Sequence, residues 1–198
     1  MSRTDPNYTR IMEAAKRLVQ LYGMRRVTVD EIAAELHISK KTIYRHFADK
    51  DALLLAVLLS IAEPHLDEVN RIIDRQLSFR ESIAEILSVL AHLQTQITPP
   101  MFRDLQNLPH LWKHIEERRS AVLLRFGSLI ERGQAEGEIR PEVNARLMAT
   151  IIVEAARLLA TPQFFARHNV SIADFASTGW TILFQGILTE KARKGGVR

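Results

Sequence analysis

The sequence predicts an all-α protein with a small N-terminal domain, residues 1–54, and a larger helical domain, residues 55–198. Apolar residues recur at three- and four-residue spacing almost throughout, and no run alternates apolar and polar residues as a half-buried strand would. Apolar residues make up 46% of the 198-residue chain, which is enough for a proper core. Beyond about residue 50 the predicted helices lengthen, and this change marks the boundary.

The first two helices have clear ends. Helix one is predicted from Tyr8 to Tyr22, and Gly23 is a suitable stop because glycine readily adopts the left-handed conformation of a helix C-terminus. Thr28 and Glu31 have the T-x-x-E spacing of a capping box, in which two side chains satisfy the free amides of a first turn. The second helix therefore begins after Thr28, and it is expected to end by His37.

Two further helices complete the predicted N-terminal region. Ser39 is placed to cap a short third helix over Lys40 to His46, and Asp49 to cap a fourth that begins at Lys50. Pro64 lies inside the fourth helical pattern, so a kink or break is expected there.

The turn signals of the larger domain are mostly prolines and glycines. A helix over 81–94 is ended by Pro99-Pro100, and a segment over 101–114 is interrupted by Pro109. A helix from Glu117 to Ala135 is stopped at Gly137, and the next runs from Pro141 to Leu159. After Pro162 we predict an irregular stretch and then a last helix, which is capped by Ser171 and Asp174 and runs to about Leu188.

Composition excludes several kinds of site and partner. The chain has no cysteine, which removes disulfides, thiolate zinc sites and cysteine nucleophiles. It has no run of 18 apolar residues, and its first ten residues lack the apolar core of a signal peptide, so we expect a cytoplasmic protein without a membrane partner. Residues 1–50 hold ten Lys and Arg against six Asp and Glu, whereas the rest of the chain has equal numbers of positive and negative residues. A polyanion would therefore interact mainly with the N-terminal segment.

The stretch LHISKKTIYRHF, residues 36–47, has the outline of a DNA-reading helix. Ile43 and Phe47 fall on one face, four residues apart, and can pack on the preceding helices. The side chains left facing outward are Lys40, Lys41, Thr42, Tyr44 and Arg45. Two short helices of this kind, the second cationic on its outer side, are typical of a helix-turn-helix motif. A solvated basic helix is the plain alternative.

A longer pattern resembles a known family. The residues I11-M-E-A-A15, L18, Y22-G23, V27-T-V-D-E-I-A33, S39-K-K-T-I-Y-R-H-F47 and K50-D-A-L53 are similar, without a gap, to the N-terminal domain of TetR-family transcriptional regulators. The resemblance implies about nine or ten helices, a homodimer, a palindromic operator and a C-terminal pocket whose small effector releases DNA. We expect the protein to need no cofactor and no metal.

The resemblance also assigns roles to matching positions. It implies that three residues face bases, namely Lys40, Lys41 and Tyr44, and that five hold phosphates, namely Thr28, Thr42, Arg45, His46 and Lys50. His37 departs from the pattern, because the family usually has glycine at the turn. A left-handed conformation costs a residue with a Cβ about 1 kcal/mol, which puts the turn geometry in question.

The last two predicted helices carry more apolar surface than one chain requires. Such faces normally need a partner, and in the resembling family the last two helices pair with those of a second chain. The predicted interface residues are Ile151, Ala155, Leu158, Leu159, Ile182, Phe184 and Ile187. Helices buried within one chain are the alternative.

The predicted effector pocket is apolar, and we expect a small apolar or aromatic ligand. Its candidate lining residues are Met101, Phe102, Leu105, Trp112, Leu123, Phe126, Ile130, Phe164, Phe165 and Trp180, any of which could equally be ordinary core. His110, His114 and Glu117 could share a helical face as metal ligands, but no further ligand is evident and no metal is predicted.

Three classes of function are open to such a chain. A ligand-responsive repressor fits the sequence best, and an architectural DNA-binding protein without strong sequence preference is the alternative. An enzyme is not expected, because no H-E-x-x-H, G-x-S-x-G or phosphate-loop pattern occurs.

Overall fold

The computed structural model describes residues 5–75 and 77–187, and the side chains of Trp180 and residues 183–187 lie outside that description. The described part contains eleven α-helices, which confirms the all-α prediction. In chain order they are α1 (Pro6–Tyr22), α2 (Val29–Leu36), α3 (Lys40–Tyr44), α4 (Lys50–Asp74), α5 (Phe79–Gln96), α6 (Pro99–Leu105), α7 (Pro109–Leu124), α8 (Phe126–Ala135), α9 (Ala145–Leu159), α10 (Pro162–His168) and α11 (Ile172–Ile187).

The predicted capping residues of α2, α3, α4 and α11 are in place. The capping box of α2 is complete, since the Thr28 amide donates to Glu31 Oε2 at 2.9 Å and the Glu31 amide donates to Thr28 Oγ1 at 3.2 Å. The side chain of Ser39 accepts from an amide in the first turn of α3, and that of Asp49 does the same for α4. Ser171 caps α11 in the same way, accepting from the Asp174 amide at 2.9 Å.

The proline predictions have mixed outcomes. Pro64 does not break α4, which is helical to Asp74, and a kink at this residue stays a prediction. The predicted interruption of residues 101–114 at Pro109 is confirmed, since α6 ends at Leu105 and Pro109 opens α7. Pro162 opens α10, because the missing amide hydrogen costs no helical hydrogen bond in a first turn. The stretch after Pro162 is therefore a helix rather than irregular. Pro141, by contrast, does not open a helix, because α9 starts at Ala145.

The predicted single helix from residue 117 to residue 135 is two helices, α7 and α8, which meet at Arg125. Here the backbone makes tighter bonds across three residues, from Arg125 N to Val122 O at 3.0 Å and from Ser128 N to Arg125 O at 3.1 Å. The Arg125 guanidinium donates to Asn70 Oδ1 at 2.6 Å and pairs with Asp74, both on α4. The break thus accompanies a tertiary contact, which periodicity cannot show.

The chain divides into two compact units, residues 1–63 with 95–115 and residues 64–94 with 116–198. The predicted domain boundary between residues 54 and 55 stays a prediction. In the second unit the buried core consists of Val69, Ile72, Ile73, Phe79, Ile86, Val122, Phe126, Leu129, Ile130, Ile139, Ala145, Met148 and Ile152. Among the described residues no single helix is long and apolar enough to cross a membrane, although the bent pair α9 and α10 meets that test by length and composition.

In the first unit, α6 and the end of α5 are hydrogen-bonded to the C-terminal end of α1. The Arg25 amide donates to Asp104 Oδ2 at 2.8 Å. The Thr98 hydroxyl donates to the Gln20 carbonyl at 2.7 Å, and the Gln20 side-chain amide donates to the Gln96 carbonyl at 3.0 Å. Each of these three bonds uses a backbone group of one partner, so each fixes the path of the chain.

Gly23 is required where α1 ends. Its φ is +87°, and a Cβ placed on it would clash with Asp104 Oδ2 and lie 3.1 Å from the Pro100 carbonyl oxygen. We therefore expect Gly23→Ala to lower the free energy of unfolding by about 2 kcal/mol or more, since it combines left-handed strain with a close contact. Urea denaturation of the full-length protein measures this loss.

Gly137→Ala is the matched control, because Gly137 has a φ of +73° but nothing lies within 4 Å of the place that a Cβ would occupy. It should show the conformational strain alone, about 1 kcal/mol. Equal losses for the two variants would contradict a role for the contact with Asp104.

Candidate nucleic-acid interface

The third helix is held by Ile43 within it and by Phe47, three residues after its end. Ile43 is 1% exposed and Phe47 is 5% exposed, and the ring of Tyr8 on α1 stacks on that of Phe47 with 5.4 Å between ring centroids. The helix itself is only five residues long, shorter than the predicted span to His46. A helix of this length is not stable alone, so burial of these two side chains supports it.

The opposite side of α3 is polar and exposed. All three predicted base-contacting residues, Lys40, Lys41 and Tyr44, are exposed, and Tyr44 retains 48% of its surface. Arg45, immediately after the helix, is exposed as well. The sequence-based division of this stretch into an apolar inner face and a cationic outer face therefore matches the structure.

Lys40 has a partner that the pattern did not predict. Its Nζ lies 2.5 Å from Oδ1 of Asp30, near the start of α2, and both side chains are more than half exposed. The hydrogen bond from Lys40 to Asp30, together with the negative charge of Asp30, raises the pKa of the Lys40 ammonium above its ordinary value. Lys40 is thus charged and turned toward a carboxylate within the outer face.

Three predicted phosphate-binding residues already make hydrogen bonds. Thr28 takes part in the capping box with Glu31, and the hydroxyl of Thr42 lies 2.9 Å from that of Ser39. The ammonium of Lys50 donates to the Arg25 carbonyl at 3.2 Å. These bonds fix the first turns of the helices, and the phosphate roles stay predictions.

His46 is less accessible than the sequence pattern indicates. Its side chain is 3% exposed, its ring meets Tyr8 edge-on at 6.1 Å between ring centroids, and its Nε2 lies 3.6 Å from Asp5 Oδ2. A phosphate contact by His46 stays a prediction that requires this ring to be uncovered. The contacts with Asp5 and Tyr8 join residues about 40 positions apart, which no local pattern indicates.

His37 adopts the left-handed conformation that its position in the turn requires. Its φ and ψ are 54° and 43°. The His37 amide donates to the Ala34 carbonyl at 3.2 Å, and the Ile38 amide donates to the Ala33 carbonyl at 3.0 Å, as in a helix end closed by glycine. The turn between α2 and α3 therefore forms in spite of the departure from glycine.

This geometry is matched by known proteins. Residues 11–57 match the family model described as bacterial regulatory proteins of the tetR family. Residues 11–57 therefore form a TetR-type DNA-binding domain, which spans α1 to α3 and the start of α4. The chain is accordingly a DNA-binding transcriptional regulator.

Whole-chain comparisons also find transcriptional regulators. The transcriptional repressor SCO4008 of Streptomyces coelicolor is 28% identical over 188 residues, which cover 90% of this chain and 92% of that protein. A transcriptional regulator from Cytophaga hutchinsonii has a similar fold, with a TM-score of 0.69 at 16% identity over 93% of this chain and all of that one. The regulator FadR from Bacillus subtilis, solved with stearoyl-CoA, has a TM-score of 0.62 at 18% identity, over 91% of this chain and 99% of that one. These relatives are regulators rather than enzymes.

The predicted pocket residues fall in both compact units. Met101, Phe102, Leu105 and Trp112 belong to the first, and Leu123, Phe126, Ile130, Phe164 and Phe165 to the second. Those fully buried are Met101, Leu105, Phe126, Ile130 and Phe165. The side chain of Trp180 lies outside the described residues. The pocket stays a prediction, and an open depression in the second unit has a different lining of Ile73, Asp74, Leu124, Arg125, Ser128 and Arg132.

No group of three metal-binding side chains occurs in the part of the chain that the structure describes. His110, one of the residues considered for a metal, has its Nε2 2.9 Å from Asp51 Oδ2. This contact gives His110 a partner in its own compact unit.

One face of α9 is apolar and exposed. Leu147 is 57%, Ile151 46% and Leu158 66% exposed, and these residues lie along one side of the helix, whereas Ile152 on the other side is buried in the core. Leu159 and, on α11, Ile182 are also exposed, and Ala155 is half-buried. The side chains of Phe184 and Ile187 lie outside the described residues. Leu147 is absent from the interface predicted from the sequence, although it precedes Ile151 by one helical turn.

His37→Gly should stabilise this protein. Glycine adopts the left-handed conformation without the Cβ clash, and we expect a gain of about 0.5–1 kcal/mol after its greater freedom in the unfolded chain is subtracted. Thermal and urea denaturation measure the gain. His37→Ala keeps the Cβ and is the control, and a loss of stability on His37→Gly would mean that the imidazole itself stabilises the turn.

Proposed function

We propose that this regulator is a ligand-responsive repressor that binds a palindromic operator as a homodimer through α3. The observation that carries the proposal is the exposed row Lys40, Lys41 and Tyr44 on a helix fixed from inside by Ile43 and Phe47. Lysine can donate to O6 and N7 of guanine, and tyrosine to phosphate or base edges, in the major groove. Thr28, Thr42, Arg45, His46 and Lys50 supply the phosphate contacts in this proposal.

The exposed face of α9 supports the homodimer. A row of apolar side chains on a helix surface normally needs a partner, and here two charged residues of the same helix, Glu154 and Arg157, pair with each other at 2.5 Å. Their pairing offsets these two charges next to the apolar row. Dimerisation also serves the reading of DNA, because two recognition helices must lie about 34 Å apart to enter successive major grooves.

An apolar or aromatic effector is the third part of the proposal. FadR of Bacillus subtilis, which has a similar fold, was solved with stearoyl-CoA, a ligand with a long apolar chain. In this chain Phe164, Phe165 and Phe175 form an aromatic cluster with ring centroids 5.5 to 6.0 Å apart, close to the residues proposed as pocket lining. In this proposal the protein has a DNA-binding and a DNA-releasing conformation, which differ by a shift of α4. The effector weakens DNA binding only by the difference between its affinities for these two conformations.

The first experiment is a selection of bound duplexes from a random DNA pool at about 150 mM salt, where non-specific phosphate binding is weak. We expect an enriched inverted repeat, because two symmetry-related α3 helices read two half-sites. Enrichment of a single half-site would contradict the homodimer. No enrichment, with binding that disappears as salt rises, would favour an architectural DNA-binding protein instead.

Two lysine variants separate base reading from phosphate binding. Lys40→Ala should reduce discrimination at one position of each half-site by about 1 to 3 kcal/mol. Lys50→Ala should weaken binding to all duplexes alike and flatten the salt dependence by about one unit per protomer. Both are measured by anisotropy titration on the selected duplex and on single-base variants, and equal losses on all duplexes for Lys40→Ala would refute its base contact.

A further inference from the structure

The carboxylate of Asp30 is unexpected where it lies. It belongs to the first turn of α2, and its Oδ1 is 2.5 Å from Nζ of Lys40. The two side chains keep 66% and 56% of their surface exposed, so the pair sits on the surface beside the cations Lys41 and Arg45. A protein that required only affinity for phosphates would gain nothing from a negative charge in this place, because it repels the DNA backbone.

We propose that Asp30 is a specificity-determining residue that directs Lys40 toward base edges and away from phosphates. This inference rests on the proposed reading of DNA by α3. Asp30 touches no DNA in the proposal but acts through Lys40, and it is therefore a positioning residue.

Lys40 could bind either a guanine edge or a backbone phosphate, and the difference in charge between these two groups explains how Asp30 would act. An ammonium has three donor hydrogens, so Lys40 can keep its bond to Asp30 while it donates to O6 or N7 of guanine, which are uncharged acceptors. A phosphate oxygen is negatively charged, and on approaching Lys40 it must come close to Asp30 and meet like charge. Asp30 thus weakens the binding of Lys40 to phosphates, which occur in every sequence, more than its binding to a guanine edge.

A second explanation for Asp30 is purely local. An acidic residue in the first turn of a helix interacts favourably with the helix dipole, and Glu31 beside it completes the capping box of α2. In that case the loss of Asp30 changes the stability of α2 and leaves discrimination between DNA sequences unchanged. The two explanations therefore predict different binding results.

Asp30→Asn tests the proposal in the full-length protein, since asparagine keeps the shape and removes the charge. Binding is measured by anisotropy on the selected operator and on a mixed-sequence duplex over a series of salt concentrations. We expect affinity for the mixed-sequence duplex to rise about threefold or more, with a salt dependence steeper by about one unit per protomer, as Lys40 becomes free to bind phosphate. Affinity for the operator should change much less, so the ratio of the two affinities falls.

A double-mutant cycle tests whether Asp30 affects DNA binding through Lys40. In the Lys40→Ala background, Asp30→Asn should raise affinity for the mixed-sequence duplex much less, because only the direct repulsion between Asp30 and the DNA backbone is then relieved. Glu35→Gln is the matched control, because it removes the same charge from the same helix but its partner is Arg17 on α1. It should leave the ratio of operator to mixed-sequence affinity close to that of the unaltered protein.

Three results would overturn the inference. They are a gain of the same size on both duplexes or no gain on either, a gain that is undiminished without Lys40, and a loss confined to the operator, which would make Asp30 itself a base contact. If the selection yields an operator and one of these results follows, only the role of Asp30 fails. If the selection yields no operator, sequence-specific reading fails first and the role of Asp30 fails with it.

Discussion

The burial of Ile43 and Phe47 is the interaction on which the DNA-reading surface depends. A helix of five residues cannot hold its shape in water by backbone hydrogen bonds alone, because forming the first turn costs more entropy than one bond returns. The two apolar side chains fix α3 against its neighbours, and Tyr8 extends this packing to α1. The side of α3 on which its cations lie follows from that inner contact.

Local chemistry made the N-terminal region predictable. The capping residues Thr28 and Ser39 accept from amides three positions away, and the end of α1 depends on Gly23 alone. Residues close in sequence were therefore enough to predict these helix ends. The prolines were harder to interpret. A proline can follow the end of one helix or stand in the first turn of the next, and the sequence around Pro162 did not show that it opens a helix.

The candidate site divides in the same way. Which side of α3 faces outward could be predicted, because it follows from apolar spacing alone. The ion pair of Lys40 with Asp30 and the covering of His46 by Tyr8 could not, because both depend on how three helices are arranged in space. Sequence patterns thus identify which groups are available, whereas tertiary contacts decide which of them are free to act.

The bonds between the α5–α6 region and α1 have a consequence for how this protein can diverge. Asp104 accepts from the amide of residue 25 and Thr98 donates to the carbonyl of residue 20, so neither bond depends on the side chain at position 20 or 25. Any residue other than proline at position 25 offers the same amide. Mutations can therefore accumulate at position 25 while this bond persists, whereas a change at position 20 keeps the bond from Thr98 and loses the one from the Gln20 side chain to the Gln96 carbonyl.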